Sequence, residues 1–235
     1  MFEIKRELGR SNVGVDSALT LGSAVDFMQD CSIFDIDSKK NLKDYLLSRK
    51  VEIYYASRQI DILRMPAYTE NITIKTWIYE CKRAFVNRNT VIYDKDNKAC
   101  ITSFSIGAFV DVASGKAILM PNEFISNVKI YDKYPMEYLD RRINIPNIKA
   151  VTAQPTSVLK YHLDFNNHVN NTKYISIAQE YLPLDFSFKQ VRVEYKTPAK
   201  YKDTIYPFKY IKENAIIIDL CAENGASYAT VEFMN

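Results

Sequence analysis

The stretch TPAKYKDTI, residues 197–205, repeats the pattern of MPAYTENI, residues 65–72. Each stretch contains a Pro-Ala step, a tyrosine, a polar turn and an isoleucine that opens a strand. Each is followed by a long strand, a hairpin and a final strand, and each is preceded by a candidate helix. Because a domain commonly has about 100 to 150 residues, a chain of 235 residues has room for two copies. The sequence therefore predicts two domains of one architecture in tandem.

Strand periodicity is clear directly after the first of these stretches. Ile72, Ile74, Thr76 and Ile78 recur at every second position, which is the period of a strand with one buried face. The chain also has 17 Tyr and 12 Phe, and aromatic side chains suit half-buried pleated surfaces. The pattern indicates antiparallel sheets joined by hairpins.

A candidate helix lies ahead of the strands in each half. Apolar residues recur at helical spacing in DSALTLGSAVDFMQDCSIF, residues 16–34, where Asp16 or Ser17 is expected to be the N-cap. A shorter helix is expected over residues 171–181. An antiparallel sheet wrapped around each helix would bury the apolar stripe, so the predicted fold class is α+β. The predicted domains are residues 1–122 and 151–235, joined by a linker over residues 123–150.

Composition excludes several classes of function. A net charge of +3 is too small to indicate a nucleic-acid-binding protein. No apolar run approaches the roughly 18 residues of a membrane span, and MFEIKRELGR at the N-terminus lacks the apolar core of a secretory signal, so a cytoplasmic protein is expected. The four cysteines are scattered without a CxxC pair, so neither a disulfide framework nor a metal site is indicated, and no cofactor is expected.

The segment DFNNHVNNTKY, residues 164–174, concentrates polar residues beside a candidate helix. Hydrolysis of an ester or thioester needs a base for water, a group that orients the base and a donor for the carbonyl oxygen. An extended conformation would place Asp164, Asn166 and His168 on one face, with Phe165 and Val169 pointing into the packing.

The same segment is expected to begin a helix. Asn170 or Asn171 would cap it, and the free N–H groups and positive dipole end would face a developing oxyanion. Alternatively, these asparagines and the histidine only cap the helix and shape a polar turn, because Asn-rich turns are common before helices. The residue pattern alone leaves both interpretations open.

The motif DxNxHVNNxKY, here residues 164–174, resembles the active-site motif of the acyl-acyl carrier protein thioesterases, the FatA/FatB-like family of plants and bacteria. Glu180 and Pro183 also match that family, as do KTW at residues 75–77 and FVDVASGKAILMP at residues 109–121. The resemblance implies two tandem hot-dog domains, the first binding most of the acyl chain and the second supplying the catalytic groups. By the same resemblance, the residues at the reacting centre are Asp164, Asn166 and His168.

One departure from the family changes the expected chemistry. The family has a Glu followed by a Cys where this chain has Pro198 and Ala199. Without that thiol, a covalent intermediate at this position is impossible, which favours direct attack by water. Glu194 has the strand parity of the missing Glu, and Glu180 lies on the helix; each is either a substitute or an ordinary surface or packing carboxylate.

The resemblance implies hydrolysis of fatty acyl thioesters of acyl carrier protein in fatty acid biosynthesis. An acyl-CoA thioesterase and a non-hydrolytic acyl-binding protein are the alternatives, and a homodimer is compatible with the tandem arrangement. Acyl carrier protein is acidic, so a basic patch would steer it, although lysines at this density also occur on ordinary solvated faces. The expected acyl-binding residues are Leu21, Val25, Met28 and Trp77, and the expected docking patch is Arg192, Lys196, Lys200 and Lys202.

Overall fold

The computed structural model describes all 235 residues, and the chain divides into two compact units. The first unit contains residues 1–56 and 60–138, and the second contains residues 57–59 and 139–235. The segment predicted as a linker is therefore shared between the two units. No helix combines the length and the hydrophobicity that crossing a lipid bilayer requires.

An antiparallel sheet forms most of the first unit. Its strands are β1 (Phe2–Glu7), β2 (Val51–Ile62), β3 (Asn71–Cys81), β4 (Phe85–Tyr93) and β5 (Ala99–Asp111), in the order β1-β3-β4-β5-β2. Strand β3 is antiparallel to both β1 and β4, and β4 is antiparallel to β5. Ile72, Ile74 and Thr76 are buried while Thr73 and Lys75 between them are less so, which confirms the predicted alternation.

The central helix α1 (Leu21–Asp37) packs against β3. The prediction that Asp16 or Ser17 caps this helix was wrong. Asp16 Oδ1 instead accepts from the Ala18 N–H (3.0 Å) in a preceding turn, and the N-cap is Thr20, whose side chain accepts from the Ser23 N–H at 3.1 Å. Two shorter helices complete the first unit, α2 (Lys40–Ser48) and α3 (Asn122–Ser126).

The second unit repeats the arrangement on a smaller scale. Helix α4 (Asn171–Gln179) packs on β10 and β11, and its buried residues Tyr174, Ile175 and Ala178 have the predicted helical spacing. The strands are β6 (Val151–Thr152), β7 (Thr156–Ser157), β8 (Gln190–Tyr195), β9 (Thr204–Ile211), β10 (Ala215–Cys221) and β11 (Ser227–Met234). The sheet order is β8-β11-β10-β9-β6, and β7 also pairs with β9.

The sequence repeat is also a structural repeat, with one correction to its alignment. The Leu19 N–H donates to the Pro66 carbonyl (2.7 Å), and in the second unit the Val169 N–H donates to the Ala199 carbonyl (2.9 Å). Pro66 therefore corresponds to Ala199, so aligning the two Pro-Ala steps was wrong by one residue. The tyrosine and the strand isoleucine of each stretch still correspond.

Candidate active site

The segment from Asp164 to His168 forms a tight turn, so the expected extended conformation was wrong. The Asp164 N–H donates to the His168 carbonyl (2.8 Å), and Asn167 has a positive φ of 59°. Asp164 Oδ1 accepts from the N–H groups of Asn166 (2.8 Å) and His168 (3.2 Å). Phe165, expected to be packed, is 83% exposed at the tip of the turn. The Asp164 carboxylate thus shapes the turn that presents His168.

His168 lies beside the chain segment that leads into β9. Its backbone forms an antiparallel bridge with Lys200, directly after the positions where the family has Glu and Cys. Its side chain is half-buried, and the imidazole makes no hydrogen bond or ion pair with another protein group. An imidazole in this state remains available to a water molecule or a substrate.

Asn170 is the N-cap of α4. Its Oδ1 accepts from the Thr172 N–H at 3.1 Å, which satisfies one of the free donors of the first turn. Asn171 is the first helical residue, and its carbonyl accepts from the Tyr195 hydroxyl at 3.1 Å. The positive end of a nine-residue helix therefore begins within three residues of the His168 side chain.

A buried tyrosine joins this helix to the segment opposite His168. The Tyr174 hydroxyl accepts from the Ala199 N–H at 2.7 Å, and its ring is 3% exposed. Burial raises the pKa of Tyr174 well above its usual value, so the hydroxyl remains protonated. The sequence motif contained this tyrosine, but only the fold shows that it fixes the main chain at Ala199.

Replacing Tyr174 by phenylalanine should destabilise the fold by about 1–3 kcal/mol, because the buried Ala199 N–H would lose its acceptor. The matched control is Tyr181→Phe, since the Tyr181 hydroxyl makes an exposed bond to the Gln154 carbonyl at 3.0 Å. That control should change the free energy of unfolding by less than about 0.5 kcal/mol. Denaturant unfolding of both variants measures the difference, and equal effects would contradict the assigned role.

Neither of the two carboxylates proposed as substitutes for the missing Glu makes a hydrogen bond or an ion pair with His168. Glu180 follows the last residue of α4 and is exposed, about 15 Å along the helix axis from Asn170. Glu194 on β8 accepts from the Ile143 N–H at 3.2 Å, so its carboxylate holds the connecting segment. Cys221 is also a poor nucleophile, because burial and the neighbouring Asp219 raise the pKa of its thiol to about 12.

Arg192, one of the four residues predicted to form the basic patch, has partners within the protein. The Arg192 guanidinium is paired with Glu232 (2.7 Å) and donates to the carbonyls of Asp140 and Arg142, so it is occupied within the second unit. The other three predicted members are exposed: Lys196, Lys200 and Lys202. The sequence could not show that Arg192 is paired, because its carbonyl partners lie on a distant segment of the chain.

The four expected acyl-binding residues are all buried, but they lie on two faces of the first sheet. Leu21, Val25 and Met28 belong to the stripe of α1 that packs against the sheet. Trp77 has the opposite parity on β3, and its Nε1 donates to the Asp132 carbonyl at 2.8 Å. Trp77 therefore packs under the segment that follows α3 and away from the helix.

A carboxylate and thiol cluster in the first unit has a simpler explanation than metal binding. Ligand atoms of Glu70, Asp94 and Cys100 lie within 4.8 Å of one another. Arg64, however, donates to both carboxylates, at 3.0 Å to Glu70 Oε2 and 3.0 Å to Asp94 Oδ2. An ion-pair network accounts for this geometry.

The first unit makes the same turn as the candidate site without the same chemistry. The Gly14 N–H donates to the Ala18 carbonyl (2.9 Å), and Ser17 has a positive φ of 61°, as Asn167 does in the second unit. Gly14, Asp16 and Ala18 therefore stand where the second unit has Asp164, Asn166 and His168. The turn requires no imidazole, so His168 is not explained by the needs of the fold.

Comparisons with known proteins agree with the fold and with the family that the sequence resembles. The family described as Acyl-ACP thioesterase N-terminal domain matches residues 2–128, and Acyl-ACP thioesterase C-terminal domain matches residues 146–231. An acyl-ACP thioesterase structure from Bacteroides thetaiotaomicron superposes with a TM-score of 0.88 at 19% identity, covering 99% of this chain and 96% of that one. The 12:0-ACP thioesterase from Umbellularia californica gives 0.87 at 15% identity, with coverage of 99% and 96%. These likenesses confirm the hot-dog fold.

Two curated relatives are plant proteins. The chain is 23% identical over 184 residues to the chloroplastic acyl-[acyl-carrier-protein] hydrolase FATB3 of Cuphea viscosissima, covering 74% of this chain and 45% of that protein. It is 22% identical over 245 residues to the chloroplastic oleoyl-acyl carrier protein thioesterase 2 of Arabidopsis thaliana, covering 92% and 64%. The chain thus spans about half to two thirds of the length of these relatives. Because both domain families match and together cover most of its length, the chain belongs to the acyl-ACP thioesterase family.

Proposed function

We propose that this protein hydrolyses fatty acyl thioesters of acyl carrier protein, releasing a free fatty acid and the carrier protein with its thiol. The observation that carries the proposal is the free imidazole of His168, on a turn that the first unit builds with Ala18. A histidine that the fold does not need, beside a helix N-terminus, fits acyl transfer to water. Membership of the family supports the same reaction.

The proposed mechanism is direct attack by water. His168 accepts a proton from the water as it adds to the thioester carbonyl, and Asp164 holds His168 in place through the turn. Asn166 and the first N–H groups of α4 stabilise the oxyanion that forms. The tetrahedral intermediate then expels the thiolate, which takes up the proton that His168 accepted, so the imidazole is neutral again. Ala199 provides no thiol, so no acyl-enzyme forms at that position.

We infer a division of labour between the domains predicted at residues 1–122 and 151–235. The C-terminal domain supplies the reacting groups. The N-terminal domain takes the acyl chain along the apolar stripe of α1, at Leu21, Val25 and Met28. Trp77 lies on the other face of the sheet, where it contacts Asp132 and Tyr134, so it does not belong to this stripe.

The wild-type protein should release thiol from acyl carrier protein thioesters with a higher kcat/KM than from the matching acyl-CoA. Measuring thiol release from both substrates, with the same acyl group at the same ionic strength, tests the proposal. A preference for acyl-CoA would favour the alternative substrate class. No turnover of either, together with saturable binding of a fatty acid, would favour a non-hydrolytic acyl-binding protein.

We also infer that Lys196, Lys200 and Lys202 form the docking patch for the acidic carrier protein, since these lysines are exposed around the segment opposite His168. Reversing two charges, with Lys196→Glu and Lys202→Glu together, should lower kcat/KM for the carrier-protein substrate by roughly three- to tenfold at low salt. This loss of kcat/KM should become smaller at an ionic strength of about 1 M, where the Debye length is about 3 Å.

The control for this patch is Lys189→Glu, an exposed lysine roughly 20 Å away at the other end of β8. A neutral thioester of N-acetylcysteamine is the control substrate, and the double variant should hydrolyse it at the wild-type rate. An equal loss with Lys189→Glu, or a loss on the neutral substrate, would contradict the assigned patch.

Three expectations remain predictions from the sequence: action in the cytoplasm, no nucleic-acid partner, and a homodimer. The four free thiols are compatible with a reducing compartment.

A further inference from the structure

His162, the only other histidine, is a buried residue that supports the loop of residues 164–168. It is 5% exposed, and its Nδ1 accepts from the Leu159 N–H at 3.0 Å. Its backbone carbonyl accepts from the N–H of Asn170, the N-cap of α4, at 2.8 Å. One residue therefore joins the start of the loop to the first turn of the catalytic helix.

The first unit contains a matched counterpart of this residue. Asn12 Oδ1 accepts from the Gly9 N–H at 3.1 Å, and the Asn12 carbonyl accepts from the N–H of Thr20, the N-cap of α1, at 2.9 Å. Both loops thus require a side-chain acceptor for the N–H three residues earlier. An amide oxygen accepts at every pH, whereas an imidazole nitrogen loses its lone pair when it is protonated.

We propose that His162 is a pH-sensitive positioning residue, which holds the His168 loop and the α4 N-terminus in place while it is neutral and releases them when it is protonated. Protonation turns Nδ1 into a donor that faces the Leu159 N–H, so a hydrogen bond becomes a repulsive contact. The charged ring would also face Lys173 on α4, and the Tyr161 ring packs against it with centroids 4.1 Å apart.

The pH window follows from the direction of the shift. Burial, and then the charge of Lys173, lower the pKa of His162 below its ordinary value of about 6.5. The folded state therefore binds fewer protons than the unfolded state between these two pKa values. The stabilisation is fully present above about pH 6.5 and is lost as the pH falls through the lowered pKa of the folded state.

The test compares His162→Asn, His162→Ala and His168→Ala. In the wild type the thermal midpoint should decrease as the pH is lowered from about 7 to about 5. In His162→Asn this decrease should be smaller. His168→Ala should keep the wild-type decrease, which assigns the effect to the correct histidine. At pH 8 His162→Ala should lower kcat/KM by roughly tenfold, and asparagine should recover most of the loss.

The decisive activity measurement is the ratio of kcat/KM for His162→Asn to that of the wild type, which should rise as the pH falls from 7 to 5.5. The ratio cancels every pH effect that does not depend on residue 162. A pH-independent ratio, or equal dependence of the midpoint on pH in both proteins, would overturn the proposal. The activity measurement rests on the proposed function and the thermal measurement does not, so the thermal midpoints test the role of His162 even in a protein without turnover.

Discussion

Replacing His168 by alanine should lower kcat for thioester hydrolysis by roughly 10²- to 10⁴-fold, the range expected when a general base is removed. The fold should survive the change, because the first unit makes the same turn with Ala18 at this position. The imidazole also makes no bond that the protein would lose. The thermal midpoint should therefore remain within about 2 °C of the wild type.

Single-turnover thiol release at saturating substrate measures this loss without interference from product release. The control is Asn167→Gly in the same turn, because Asn167 has a positive φ of 59° that glycine adopts readily. That variant should keep kcat within a few-fold. Unchanged turnover in His168→Ala would remove His168 from the reaction and leave it a residue of the turn.

The architecture could be predicted from the sequence because it depends on local periodicity. The alternation through Ile72, Ile74 and Thr76 and the helical spacing of Tyr174, Ile175 and Ala178 each reflect one buried face. Repetition of the same order in both halves then fixed the number of units. The DFNNHVNNTKY motif located the candidate site, since His168 and the N-cap of α4 lie within it.

The errors arose where several local partners compete for one group. Asp16 and Thr20 are both residue types that cap helices well. Thr20 is the N-cap because the Asp16 carboxylate already accepts a hydrogen bond within the preceding turn. Asp164 similarly bonds to the backbone two and four residues later, which an argument from strand parity cannot detect. Arg192 was taken for a surface charge because its partners, the carbonyls of residues 140 and 142, are some fifty positions away.

His162 was missed for a different reason. The sequence contained its signal, since Asn12 stands at the equivalent place in the first unit, but the two loops share too few residue types to be aligned without coordinates. Hydrogen bonds to backbone groups reveal the equivalence, because those groups are present whatever the side chain is.

We propose that Asp164 acts in two ways, by shaping the turn and by stabilising positive charge on His168, and a pair of substitutions can separate them. Asp164→Asn keeps a side-chain oxygen for the N–H groups of Asn166 and His168 but removes the negative charge. We expect it to fold normally and to lose roughly 10²-fold or more in kcat if the charge stabilises the protonated imidazole that forms during the reaction. Wild-type turnover in this variant would show that Asp164 acts only by shaping the turn.

The first unit supplies the control for that result. Asp164→Ala should destabilise the protein by about 1–3 kcal/mol, because two N–H groups lose their acceptor. Combining Asp164→Gly with Asn166→Asp copies the Gly14 and Asp16 arrangement, in which the later carboxylate accepts from the Ala18 N–H. This double variant should recover the stability, as measured by denaturant unfolding, but not the activity in thiol release, because it lacks both the Asp164 carboxylate and the Asn166 amide of the proposed mechanism. Recovery of both would show that the turn needs one carboxylate at either position, and that the reaction needs neither the Asn166 amide nor any contribution from Asp164 beyond shaping the turn.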